Sequence, residues 1–220
     1  MVHPERLTLQ QSELGLSGLE QARYSPPLLD RPLTIDCATV YLSDEQFYQL
    51  CVQNPELRIE QSQGGKVTFM APVGGESGQR EMFLGGELYL WNRQNQLGYV
   101  FSSSTIFQLP GGGKRSPDAA WVAQERWEAL SATEQERFPP LAPDFVMELR
   151  SRTDALGDLE AKMEEYRASG VRLGWLINPQ DREVVIYRLG ESGVERRSMP
   201  TVLAGDPVLP GFRLDLSLFS

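Results

Sequence analysis

Histidine is nearly absent from this chain of 220 residues: the one copy, His3, lies in an aperiodic N-terminal stretch. Ser-His-Asp triads and HNH-type nuclease sites are thereby excluded. Cysteine is almost as scarce. Cys37 and Cys51 fall short of the roughly four N or S ligands of a structural zinc site. In a reducing compartment they read as buried thiols rather than a disulfide. No apolar run approaches the ~20 residues needed to span a bilayer, and the first residues lack the apolar centre of a secretory signal. No membrane association and a cytoplasmic location are therefore expected. Positive charge is also in the minority, with 21 Lys and Arg against 30 Asp and Glu, a formal net charge of −9. That balance argues against a protein that coats nucleic acid. It leaves room for a site that gathers carboxylates around a divalent cation, which neutralises them.

What is present supports one domain. Hydrophobic residues make up 40 % of the chain, enough for a sizeable core. Residues 1–35 carry Pro26-Pro27 and Pro32 with no sustained period, which reads as an extended arm; residues 36–220 form the domain. Ser43 with Gln46 spells a helix-capping box. Short strands are expected at 57–60 and 66–70, and a helix over 78–92 whose Gly85-Gly86 pair lets a strand approach. Further strands fit 97–103, 117–122 and 143–149. Ser151-Arg152-Thr153-Asp154 resembles a second capping box, opening a helix on which Leu159, Met163 and Tyr166 share one face. A hairpin over 173–188 and an apolar tail ending in Leu214, Leu216 and Phe219 complete the chain. Helices interleaved with strands in this order predict an α/β (α+β) fold, a central mixed sheet flanked by helices.

Two carboxylates stand where apolar runs begin or continue. Glu148 sits in Phe145-Val146-Met147-Glu148-Leu149, and a carboxylate in such a strand is costly unless paired or metal-bound. Its ordinary reading is an ion pair with Arg150 or Arg152. Asp118 follows a proline and precedes Ala119-Ala120-Trp121, where the ordinary reading is a turn aspartate. Together, with backbone oxygen from Leu149, they form an oxygen site suited to magnesium or manganese. Lys162, at the border of the apolar face of the following helix, is the candidate catalytic cation; the plain alternative is a solvated lysine beside Glu165. Arg150 and Lys114 are candidate phosphate contacts, and Arg115, Arg152 and Arg172 extend the same basic rim.

The segments PDAAWV (117–122), PDFVMELRS (143–151) and AKMEEYRASGVRLGWLINP (161–179) carry a resemblance. They resemble the Uma-type restriction endonucleases of the PD-(D/E)xK nuclease superfamily, over about residues 40–216. The resemblance implies a restriction-endonuclease-like core. It matches Asp118 to the PD aspartate, Glu148 to the acidic residue of the (D/E)xK element, and Lys162 to a lysine moved from the strand to the next helix. It suggests Glu76 as a further acidic ligand and leaves Asp144 as a strand-entry residue. Two departures are Arg150 at the usual lysine position and the turn Ser-Arg-Thr-Asp after the strand.

The function expected is a Mg- or Mn-dependent DNA endonuclease hydrolysing phosphodiester bonds. Since one site addresses one strand, a homodimer is the expected arrangement for cutting both. The alternatives are a nuclease-fold binding or assembly module without cleavage, and a metal phosphohydrolase with a small substrate.

Overall fold

The structure, a computed structural model, describes residues 32–40 and 42–217. The chain opens with β1 (Leu33–Asp36), α1 (Asp44–Gln53), β2 (Ile59–Gln61) and β3 (Lys66–Phe69), followed by the long α2 (Gly75–Asn95). Next come β4 (Gly98–Ser102), β5 (Phe107–Gln108), β6 (Lys114–Arg115) and β7 (Ala119–Ala123). Two short helices, α3 (Gln124–Glu128) and α4 (Ala132–Glu136), lead to β8 (Phe145–Leu149) and α5 (Leu156–Ala168). The last strands are β9 (Leu173–Asn178), β10 (Glu183–Arg188), β11 (Glu195–Ser198), β12 (Val202–Ala204) and β13 (Arg213–Asp215).

The strands form a six-stranded sheet in the order β11-β10-β9-β8-β7-β4, a five-stranded sheet in the order β1-β3-β2-β6-β5, and the pair β12-β13. In the larger sheet β8 and β9 run parallel and the other neighbours antiparallel. A parallel pair needs a crossover, and α5 is that crossover. The mixed α/β architecture expected from the sequence is therefore present.

Side chains alternate across the sheet, and both faces are covered. Phe145, Met147 and Leu149 pack with Leu84, Leu88 and Trp91 of α2 and with Phe212 of the tail. Val146 packs on the other face with Met163 and Tyr166 of α5 and with Leu176 and Val185. All five residues of β8 are buried, Glu148 included. Alternation thus aims Glu148 at α5 rather than at α2. A third cluster, around Phe47 of α1, packs on the smaller sheet and includes the half-buried Cys37 and Cys51, which are free thiols.

The capping box at Ser43 forms as expected: Gln46 N donates to Ser43 Oγ at 3.2 Å, and Ser43 N donates to Gln46 Oε1 at 2.9 Å. The one at Ser151 does not. Ser151 N donates to Asp154 Oδ2 at 2.8 Å, closing a turn of its own, and α5 begins only at Leu156 without a side-chain cap. Of the expected arm, residues 1–31 lie outside the described residues, while Leu33–Asp36 pair with β3 at the sheet edge. Phe219 also lies outside them. Gly85 and Gly86 meet open space, not a strand.

The close approach falls instead at Gly98, where an added Cβ would overlap the Val122 carbonyl oxygen and lie 2.7 Å from the Trp121 ring. Backbone cannot yield there as the flexible end of a side chain can. Gly98→Ala is therefore expected to destabilise by about 1–3 kcal/mol. Gly174→Ala, which meets the mobile tip of Met163, is expected to cost less. Urea unfolding of both variants checks this order.

Candidate active site

The site forms where the two larger sheets share a stretch of chain. β6 of the smaller sheet passes through Ser116-Pro117-Asp118 directly into β7 of the larger. The paired residues Ala119 and Met147 fix the register between β7 and β8. One step further along, Asp118 stands opposite Glu148. Two carboxylates opposed across antiparallel strands repel each other, so this placement costs stability unless a cation compensates it.

Lys162 supplies one cation. It is buried on α5, and its Nζ contacts Glu148 Oε1 at 2.8 Å, Glu60 Oε1 at 2.9 Å and the Ser116 carbonyl at 3.3 Å. The i, i+4 spacing on a helix brings Tyr166 to the same side, and its Oη donates to Glu148 Oε1 at 2.9 Å. Asp118 receives the Leu149 amide on Oδ2 at 2.7 Å. Among the described residues, these bonds fall on one oxygen of each carboxylate, Oε1 of Glu148 and Oδ2 of Asp118.

The charges extend outward from Lys162. Glu60, at the centre of β2, takes the Ser116 amide on Oε1 at 3.1 Å and Arg115 Nη1 on Oε2 at 3.1 Å. Arg115 is itself held by Glu165, with Nη2 to Oε2 at 2.5 Å and Nε to Oε1 at 3.2 Å. Four carboxylates, Glu60, Asp118, Glu148 and Glu165, thus face two cations, Arg115 and Lys162.

Burial acts on all of them. It pushes the Asp118 carboxyl well above the usual carboxylate range, and the Glu148 charge adds to the push against the opposing pull of Lys162. Glu148 is likewise raised, first by burial and then by Glu60, with Lys162 opposing. For Glu60, burial is outweighed by Lys162 and Arg115 together, and its carboxyl lies below the usual range. Burial would favour neutral Lys162, but Glu148 and Glu60 overcome it and keep the ammonium charged. Taken as a whole residue, Asp118 is half-buried.

This donor set fits a hard divalent cation. The two carboxylates present only oxygen, each has one oxygen fixed by the protein and one left over, and their mutual repulsion is what such an ion relieves.

Residues 44–217 match the family Uma2, described as "Putative restriction endonuclease". The chain belongs to the Uma2 family. A solved structure with the same fold is the crystal structure of "a putative nuclease belonging to DUF820" from Anabaena variabilis. It has 17 % identity and a TM-score of 0.64, over 74 % of this chain and 90 % of that one. No curated protein matches.

Within this Uma2 chain, Asp118, Glu148, Leu149 and Lys162 are brought together. Other expected site residues are placed elsewhere. Glu76 is an exposed residue of the first turn of α2, paired with Arg80 at 2.9 Å. The acidic residue of α2 that acts on Asp118 is Glu81. Glu81 lies seven residues before the buried Leu88, nearly on the same helical line, and that stripe was the signal for it. Lys114 is turned inward, its Nζ 2.7 Å from Asp44 Oδ1 and 3.1 Å from the Gly112 carbonyl. Arg150 lies beyond the end of β8 and pairs with Asp181 at 2.8 Å. Both are thus engaged by a carboxylate. Arg115 is internal, and Arg172 faces Asp144 at 3.5 Å. Asp144 is itself buried, accepts the Ala123 amide and pairs with Arg126, which makes it a strand-entry anchor. Glu60 gives no signal in the sequence, because β2 has only three residues and too little apolar context to mark a buried carboxylate.

The charges generate two expectations. An acid whose folded pKa is raised loses stability as pH climbs from its unfolded value through its folded one. Asp118→Asn removes that penalty. Without divalent metal, this variant is expected to melt roughly 2–4 °C above the parent at neutral pH, the shift that about 1 kcal/mol gives in a chain of this size. The difference should vanish below the ordinary carboxylate range. Lys162→Met strands two buried carboxylates and is expected to cost about 3–5 kcal/mol in urea unfolding.

Proposed function

We propose that this chain is a divalent-metal-dependent endonuclease that hydrolyses phosphodiester bonds of DNA. The observation that carries this reading is the buried ammonium of Lys162 lodged against Glu148, beside a second carboxylate, Asp118, which accepts a hydrogen bond from a backbone amide. Asp118 and Glu148 would hold magnesium or manganese, with the Leu149 backbone as a further oxygen donor. Among the described residues there is no group of three or more His, Cys, Asp or Glu side chains able to hold a metal ion. Magnesium sites commonly use one or two carboxylates, with water and substrate oxygens completing the shell. The metal would supply Lewis acidity at the phosphoryl group.

The remaining chemistry belongs to the chain. Lys162, kept protonated by its two carboxylates, cannot act as a base. Two of its three N–H donors stay on Glu60 and the Ser116 carbonyl; the one that Glu148 gives up on taking the metal would donate to the attacking water or to a phosphoryl oxygen as negative charge grows on it. Water adds to phosphorus, one P–O ester bond breaks, and the water proton leaves with the departing oxygen or to solvent. Tyr166 and the Leu149 amide fix the two carboxylates so that little reorganisation is needed.

A second reading has its own observation. Arg126, Arg137, Arg167, Arg188 and Arg196 each face a carboxylate at 2.9 Å or less, so among the described residues many of the cations that could track a duplex are already paired. A nuclease-fold binding or assembly module that does not cleave would show this surface too.

Nicking of supercoiled plasmid with magnesium or manganese separates the two. The expected result is metal-dependent nicking by the parent, reduced at least ~100-fold in Asp118→Asn, Glu148→Gln and Lys162→Met, the size of effect seen when one transition-state donor is lost. Nicking that survives all three substitutions would refute these assignments. A parent that binds DNA without nicking it would favour the non-cleaving module.

A further inference from the structure

We infer that Glu60 is a positioning residue for Lys162: it is the carboxylate that keeps the ammonium in place once Glu148 is committed to a metal ion. This rests on the nuclease reading above. Among the described residues Lys162 Nζ has three partners: Glu148 Oε1 at 2.8 Å, Glu60 Oε1 at 2.9 Å and the Ser116 carbonyl at 3.3 Å. A metal held by Glu148 draws on the charge that Glu148 shares with Lys162 and sets a second positive charge nearby. A lysine held by Glu148 and one carbonyl alone would be pushed off its position. Glu60 prevents this, because none of its bonds depends on Glu148.

Glu60 is also the carboxylate least able to become a ligand itself. Both of its oxygens are taken: Oε1 by Lys162 and the Ser116 amide, and Oε2 by Arg115. Arg115 cannot drift, because Glu165 grips it through two nitrogens. Glu165 in turn accepts the Gln63 amide at 2.9 Å, and Gly113 leaves no room for a side chain against it. The brace therefore runs from the β2–β3 hairpin through β6 to α5. It joins the smaller sheet to the helix that carries Lys162. Stability alone does not account for it, since apolar residues of similar volume commonly replace buried ion pairs without loss. Partners one layer out from the reacting groups typically change metal affinity or activity by roughly 10–100-fold when removed.

The test has two readouts. The chain contains three lysines, Lys66, Lys114 and Lys162, so lysine ammonium signals in a 15N-lysine-labelled sample are few. The Lys162 signal is identified by its loss in Lys162→Arg. In metal-free protein we expect it to persist in Glu148→Gln and to vanish into solvent exchange in Glu60→Gln. In the parent, added magnesium should leave it in place. With DNA and magnesium, Glu60→Gln should lower kcat about 10–100-fold with KM within about twofold, and Glu60→Asp should restore part of the loss. A Lys162 signal intact in Glu60→Gln, its loss from the parent on adding magnesium, or an unchanged kcat would each overturn the proposal. If Glu60→Gln does not fold, the magnesium titration of the parent decides. If the parent cleaves nothing, the nuclease reading fails, while the ammonium signals still report whether Glu60 holds Lys162.

Discussion

Lys162 lodged between Glu60 and Glu148 is the interaction on which the rest of this structure depends. Its three contacts come from β2, from the link between β6 and β7, and from β8. One ammonium therefore ties both larger sheets to α5. An isolated ammonium there would be strongly disfavoured by burial, and isolated carboxylates equally so. The Lys162 charge is tolerable there because Glu60 and Glu148 face it.

The cluster is not balanced. Four carboxylates face two cations, and burial first, with the neighbouring negative charge added to it, pushes the carboxyls of Asp118 and Glu148 up. Glu60, with both oxygens bonded, does not share that rise: its carboxyl lies below the usual range. The molecule thus separates carboxylates that stabilise the fold from carboxylates kept under electrostatic tension. The second pair is where a divalent ion would gain most.

Much of this is legible in the amino-acid order itself. Glu148 within an unbroken apolar strand, Asp118 at the mouth of another, and Lys162 on the border of an amphipathic helix each break a local pattern at a cost that needs an explanation. The sheet and its two covering helices follow from periodicity. What is not legible depends on distant pairing. Glu60 occupies a three-residue strand, and only the pairing of β2 with β6 carries it to Lys162. Lys114 and Arg150 look like free cations because nothing local reveals Asp44, some seventy residues away, or Asp181 beyond the following strand. Glu76 and Glu81 differ by a rotation on one helix, and the nearer match to the Leu88 line is the better guide. The turn at Ser151 shows the reverse error: a correct pair of residues for a cap closes a turn instead, because the chain does not become helical until Leu156.

The central claim is that the excess negative charge at Asp118 and Glu148 exists to be met by one divalent cation. Calorimetric titration of the metal-free chain with manganese tests it most directly. The account predicts one ion bound per chain, with binding lost in Asp118→Asn and in Glu148→Gln. An ion bound equally well by both variants, or no binding by the parent, would contradict it.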